Sequence, residues 1–253
     1  MNFTLGSIKT ARSFAVHYGT NHLKALSEYD LAIIEPKAHR AEDINILRNN
    51  ATAVYGYISL FEIEEKQPEF EVFGSHLLVE GISCQTEKCS RRHFVDLRSG
   101  PWIEFVLSRV RKLIAEYGYD GIFVDTVGYI EECVIQESIM FNQILAVCDF
   151  YRKVRKEFPE AGIIQNNALG LTLNYTKSLI DAVCWENPIS DTPEFRRINK
   201  LIISKLNRIR KENGMRVLLL TEDAPEARYF RHMTSKNSYI YYDAPKDYIG
   251  PVR

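Results

Sequence analysis

Gly121-Ile122-Phe123-Val124-Asp125 is the stretch whose reading decides the fold. Its interior is wholly apolar and its last residue is a carboxylate. A strand with one wet face would alternate polar and apolar positions. An uninterrupted apolar run is instead the pattern of a parallel strand covered on both faces. Ala182-Val183-Cys184-Trp185-Glu186 has the same form, an apolar interior closed by an acid. Working outward from these two, the same signature recurs at Phe14–Tyr18, Leu31–Glu35, Val54–Ser59, Gly162–Asn166, Val217–Thr221 and Tyr239–Tyr242. That makes eight strands, with Phe94–Leu97 reading as a short extra one.

Amphipathic segments lie between them. Trp102–Tyr117, Phe141–Phe158 and Phe195–Asn213 carry apolar residues at helical spacing with charges between. Gly118 and Gly214 follow two of these helices, where a left-handed cap is expected. Pro101 and Pro193 sit where a first helical turn accepts proline. Eight strands with helical crossovers in 253 residues predict an α/β chain folded as a single (β/α)8 TIM barrel spanning residues 1–253. An open doubly wound sheet is the alternative. Residues 61–92 are too long for a passive connection and read as a loop or flap over one barrel end.

Charge and composition exclude several function classes. A net charge of -1 gives no electrostatic case for nucleic acid or an anionic membrane. The basic segment Arg196–Lys211 reads as the solvated face of an outer helix. No apolar run approaches the length of about 18 residues that a membrane span needs. Met1–Thr10 lacks the apolar core of a secretory signal, so a cytoplasmic location is expected. Cys84 and Cys89 lie close together in a polar loop and would pair in an oxidising compartment, while Cys133, Cys148 and Cys184 read as small buried hydrophobes. No CxxC suggests structural zinc. Nothing in the sequence sets the oligomeric state.

A barrel does its chemistry at the C-terminal ends of its strands. Those ends carry His17 and Tyr18, Glu35, Tyr57 and Ser59, Asp125, Asn166 and Asn167, Glu186 and Asn187, Thr221 with Glu222 and Asp223, and Tyr241 with Tyr242 and Asp243. Strand alternation turns Asp125, Phe123 and Gly121 to one face, and Glu186, Cys184 and Ala182 to one face, with Trp185 on the other. Tyr57 and Ser59 share a face in the same way. No strand ends in the lysine that Schiff-base chemistry needs. No His-x-His or His-Glu-x-x-His supplies metal ligands, and no glycine-rich phosphate loop or nucleophile elbow occurs. Carboxylates, Asn, Tyr and Ser without metal or cofactor signals fit a carbohydrate site. Glycosidic cleavage needs one protonated carboxyl and one ionised carboxylate.

The chain resembles the TIM-barrel glycoside hydrolases of the endo-α-1,4-polygalactosaminidase type, family 114 and its relatives, which include the hydrolase domain of the Pel polysaccharide protein. The likeness rests on Tyr-Gly-Tyr-Ile-Ser at 55–59, Tyr-Gly-Tyr-Asp-Gly-Ile-Phe-Val-Asp-Thr at 117–126, Gln-Asn-Asn at 165–167 and Cys-Trp-Glu-Asn at 184–187. It implies catalysis by Asp125 and Glu186, with Asp125 as nucleophile and Glu186 as acid/base. It further implies a sugar subsite lined by Tyr18, Glu35, Tyr57, Ser59, Asn166, Asn167 and Tyr241, no metal or other cofactor, and a polysaccharide of galactosamine or a related amino sugar as substrate. Family members are usually exported, which makes a secreted location the alternative. A barrel that binds saccharide without cutting it, or another hydrolase or lyase on the same scaffold, are the competing readings.

Overall fold

The computed structural model describes residues 7–79, 82, 92–134, 136–189 and 192–252. Eight parallel strands form one sheet in the order β1 (Phe14–His17), β2 (Leu31–Ile34), β3 (Ala53–Ser59), β6 (Gly121–Asp125), β7 (Gly162–Asn166), β8 (Ala182–Glu186), β9 (Arg216–Glu222) and β10 (Ile240–Ala244). Neighbours in sequence are neighbours in the sheet, the up-and-around order of a TIM barrel. The sheet is nearly closed: β1 and β10 meet where the rings of Phe14 and Tyr242 lie 5.8 Å apart.

Register sorts the inward residues into three layers. Tyr55, Gly121 and Gly162 stand side by side, as do Tyr57, Phe123 and Ile164, while Ser59 pairs with Asp125 and Asn166 with Cys184. These positions share the barrel interior. Glycine at 121 and 162 is a packing requirement, because a Cβ at Gly162 would collide with the Tyr55 hydroxyl and one at Gly121 with the Gly162 carbonyl. Tyr55 therefore fills the barrel floor. Ile122, Val124 and Trp185 alternate outward and are buried beneath the helices.

The helix signals act as the sequence predicts. Ser99 Oγ and Thr192 Oγ1 cap α4 (Gly100–Arg111) and α8 (Pro193–Asn213), each with proline in its first turn. Gly118 and Gly214 adopt φ of 76° and 68°, values that favour a residue without a Cβ. Along α8, Leu206 and Ile209 are buried while Arg196, Arg197 and Lys200 are exposed. The other helices are α1 (Leu23–Leu26), α2 (Ala41–Asn49), α3 (Pro68–Phe73), α5 (Tyr129–Cys133), α6 (Glu137–Glu157), α7 (Leu171–Thr176) and α9 (Ala227–Asn237).

The excursion after β3 begins with a two-stranded antiparallel ribbon, β4 (Glu62–Ile63) against β5 (His93–Phe94). Strand β5 is the extra strand expected near Phe94–Leu97; it lies outside the barrel and starts one residue earlier. Stacked rings of Phe61 and Phe94, 4.9 Å apart, fix the ribbon to the rim. Cys84 and Cys89 lie outside the described residues. Cys133 departs from its reading as a simple buried hydrophobe: it is buried but disulfide-bonded. Its neighbour in that reading, Cys148, is free, as is Cys184. Among the described residues, no helix is long and apolar enough to cross a membrane.

Candidate active site

Asp125 and Glu186 emerge from β6 and β8 on either side of β7, whose last residue is Asn166. The Asn166 side-chain nitrogen donates to both acids, at 2.8 Å to Asp125 Oδ1 and 2.6 Å to Glu186 Oε2. The two accepting oxygens therefore lie at most about 5.4 Å apart, the sum of those distances. Asp125 Oδ1 also accepts from the Thr126 amide at 2.7 Å, and the Tyr57 hydroxyl hydrogen bonds the same carboxylate. Glu186 Oε1 accepts from the Tyr248 hydroxyl at 2.5 Å, and the Glu186 amide donates to Asn167 Oδ1 at 2.9 Å.

The backbone turns sharply at each of these strand ends. Thr126, Asn167, Asn187 and Asp223 directly follow the last residues of β6, β7, β8 and β9, and all adopt positive φ, at 70°, 51°, 48° and 41°. Such conformations cost a non-glycine residue about 1–3 kcal/mol and persist where surrounding bonds over-determine them. Thr126 shows the restraint: its Oγ1 donates to the Asp125 carbonyl and accepts from the amides of Leu60 and Phe61. The result is a set of polar side chains aimed across the barrel mouth from tight turns.

Burial, reinforced by the nearby Asp125 carboxylate, raises the pKa of Glu186; the bonds from Tyr248 and Asn166 oppose that rise. Tyr18 and Tyr57 are pushed well above the usual phenol range by burial and by the acids, so both stay neutral donors. The acids open into a cleft of about 660 Å³ lined also by Tyr57, Asn166, Asn167, Glu62, Arg92 and Tyr129. Glu62 pairs with Arg92, whose guanidinium lies 4.5 Å from the Tyr129 ring centre. Among the described residues, no three His, Cys, Asp or Glu side chains are arranged to hold a metal ion.

The other residues singled out in the sequence take different positions. Tyr18 stands behind the cleft wall, its ring 5.2 Å from both Tyr57 and Tyr248. Ser59 donates to the Glu62 carbonyl at 2.7 Å and so anchors the ribbon rather than facing the cleft. Glu35 accepts from the Lys37 amide at 3.1 Å, capping the turn Pro36–Ala38. Tyr241 points out of the barrel, with its hydroxyl 2.8 Å from Thr221 Oγ1 and its ring 5.5 Å from the Arg231 guanidinium of α9. His17 is fully buried on the same outward parity as Ala15. Glu62, Arg92, Tyr129 and Tyr248 are additions that strand-end reading did not reach. The first three belong to the ribbon and to α5, and the last to the loop after β10.

The model of the Glycoside-hydrolase family GH114 matches residues 5–192. No curated protein matches the chain. Among solved structures, the glycoside hydrolase domain of PelA from Pseudomonas aeruginosa superposes with a TM-score of 0.81 at 18% identity, over 96% of this chain and 98% of that one. Ega3 of Aspergillus fumigatus, solved in complex with galactosamine, gives a TM-score of 0.62 at 13% identity over 88% and 82%. The α-galactosidase TtGalA of Thermus thermophilus gives 0.66 at 13% identity over 95% and 59%. At these identities the structural likenesses establish the barrel, whereas the family model covers most of the sequence. The chain is a glycoside hydrolase barrel with a carbohydrate substrate, and it belongs to glycoside hydrolase family GH114.

Proposed function

We propose that the protein cleaves an α-linked galactosamine-type polysaccharide by a retaining, two-carboxylate mechanism, with Asp125 as nucleophile and Glu186 as acid/base. The observation that carries the mechanism is the shared Asn166 nitrogen. Carboxyls about 5–5.5 Å apart attack the sugar directly, whereas inversion needs about 6.5–9.5 Å to admit a water. The bound of about 5.4 Å set by Asn166 supports retention. The roles follow from proton affinity: a group that keeps its proton can donate it to the leaving oxygen, and Glu186 is the acid whose pKa is raised. Asp125, fixed by the Thr126 amide, Asn166 and Tyr57, is held in a single orientation for attack. Glu186 then takes a proton from the water that releases the sugar.

The amino-sugar assignment draws on the cleft charge. Among the described residues, Glu62, Glu64, Asp125, Glu132 and Glu186 line it against one guanidinium, Arg92. A ligand bearing ammonium groups complements that surface. The galactosamine in the Ega3 structure supports the same choice. Tyr57, Asn166 and Asn167 line the sugar subsite in this reading, with Tyr18 supporting Tyr57 from behind. The disulfide at Cys133 favours an oxidising compartment over the cytoplasm. The test is a product assay on N-acetylated and de-N-acetylated galactosamine polymers, with the anomer of the first-formed product followed by NMR. Cleavage of the de-N-acetylated polymer to an α-anomer is expected. An initial β-anomer overturns retention, and activity on neutral polymers alone overturns the amino-sugar reading.

A further inference from the structure

Tyr248 lies beyond the last barrel strand, in a loop that no sequence motif marks, yet its hydroxyl is 2.5 Å from Glu186 Oε1. The loop reaches that position under restraint. Glu222 Oε1 accepts from the Asp247 amide at 2.6 Å, and Asp223 Oδ2 from the Lys246 amide at 2.9 Å. The Tyr248 carbonyl accepts from the Tyr18 amide at 2.8 Å, tying the loop back to β1. Asp247 and Tyr248 both adopt positive φ, at 56° and 57°. Two successive non-glycine residues in that region are costly and survive where neighbouring bonds hold them. Here the bonds come from the two acids at the end of β9 and from β1. The ring of Tyr248 packs 5.2 Å from Tyr18, which fixes its plane, and its oxygen lies 3.3 Å from the Asn187 side-chain nitrogen.

We propose that Tyr248 is a positioning residue for the acid/base, orienting the Glu186 carboxyl and setting how tightly it holds its proton. Glu222 and Asp223 keep Tyr248 in place. The inference rests on Glu186 as acid/base, and its geometry is independent of the sugar. A phenol that donates to a carboxylate stabilises the ionised form. The same oxygen can accept a bond when Glu186 is protonated, so the partner serves both halves of the cycle. Asn166 from β7 supplies the second donor, on the other carboxyl oxygen. The titratable groups around Glu186 are Asp125 from β6, Glu222 from β9, Tyr18 from β1, Cys184 on its own strand, and Tyr248.

The test is Tyr248→Phe, which keeps the ring and removes the donor. The first readout needs no substrate: the carbon-13 signal of the Glu186 side-chain carboxyl is titrated by NMR in wild type and variant. The midpoint should move up by at least about half a pH unit, the direction expected when a carboxylate loses a donor. With an active substrate, kcat/KM should fall about 10-fold and its alkaline limb should move the same way. Asp223→Ala, which releases the Lys246 amide, should give a smaller upward move. An unchanged midpoint in Tyr248→Phe overturns the proposal. Glu186→Gln separates the two ideas. If it cleaves as well as wild type, the acid/base reading fails. If it is inactive while Tyr248→Phe titrates like wild type, the role of Tyr248 alone fails.

Discussion

Asp120 and Asp181 stand immediately before β6 and β8; Asp125 and Glu186 close the same two strands. The same residue class at opposite ends of the same strands does different work. At the N-terminal end, Asp120 accepts from the Val54 amide at 2.8 Å and lies 3.3 Å from the Arg48 guanidinium. Asp181 accepts from the Ile163 amide at 2.8 Å and pairs with Arg155 at 2.5 Å. Asp30, just before β2, likewise accepts from the amides of Arg12 and Ser13. Each lower acid staples its strand to a neighbour and has donors of its own. At the upper end the two acids face each other and share one amide nitrogen. Acids with their own donors and cations hold the barrel together. Buried beside Asp125, Glu186 has its pKa raised, which suits it to the acid/base role proposed for it.

The sharpest way to break this contrast is to exchange the outcomes of the two ends. Asp125→Ala and Glu186→Ala should each lower kcat by at least about 1,000-fold, since removal of a nucleophile or general acid forfeits most of the catalysis it provides. Both should remain folded by circular dichroism. Asp181→Ala should do the reverse. It leaves the Ile163 amide and the Arg155 guanidinium without their carboxylate and should cost about 2–3 kcal/mol of stability, less than a fully buried pair because both side chains are about one-fifth exposed. Its kcat should stay within about twofold of wild type once the protein is folded. Denaturant melts and initial rates on the three variants decide the matter, and a folded Asp181→Ala with lost kcat would join the two ends functionally.

Asn166→Ala should have the next largest effect, because one nitrogen serves both acids. Loss of a donor of this kind lowers kcat by about 100-fold. It also removes one of the two bonds that oppose the rise in the Glu186 pKa, so the alkaline limb of kcat/KM should move to higher pH. A fall in kcat with an unmoved limb would make Asn166 a purely steric wedge between the strands.

These effects concern residues that the sequence exposes directly. Asp125, Asn166 and Glu186 end apolar runs, and a period of two residues fixes their direction once the strand ends are known. Tyr241 shows how that logic fails. The strand there is Ile240–Ala244 rather than Tyr239–Tyr242, and within it Tyr242 faces the interior while Tyr241 faces α9. Parity is unforgiving: the neighbouring residue always points the other way. Ser59 and Glu35 carry a different lesson. Both sit at strand ends, yet each is occupied by a turn, at the Glu62 carbonyl and the Lys37 amide. Polar residues at a rim serve either the site or the turns that build it, and local sequence does not separate the two. Tyr248 was illegible for a further reason, since its position depends on bonds from β9 and β1, far away along the chain.

The smallest expected effect sharpens the comparison through pH. Glu186 binds its proton more tightly folded than unfolded, because burial and Asp125 disfavour its charge in the barrel. Where the folded state holds more protons than the unfolded state, stability falls as pH rises. Below the ordinary carboxyl range both states are protonated and Glu186 costs nothing. As pH climbs from that range through the raised pKa, the unfolded chain ionises first and stability is lost. Glu186→Gln removes this titration. The amide has its own hydrogen-bonding mismatch with Tyr248 and Asn166, but that mismatch is the same at every pH. The melting-temperature difference between variant and wild type should therefore move in the variant's favour from about pH 4 to about pH 8, by about 2–4 °C for each kcal/mol involved.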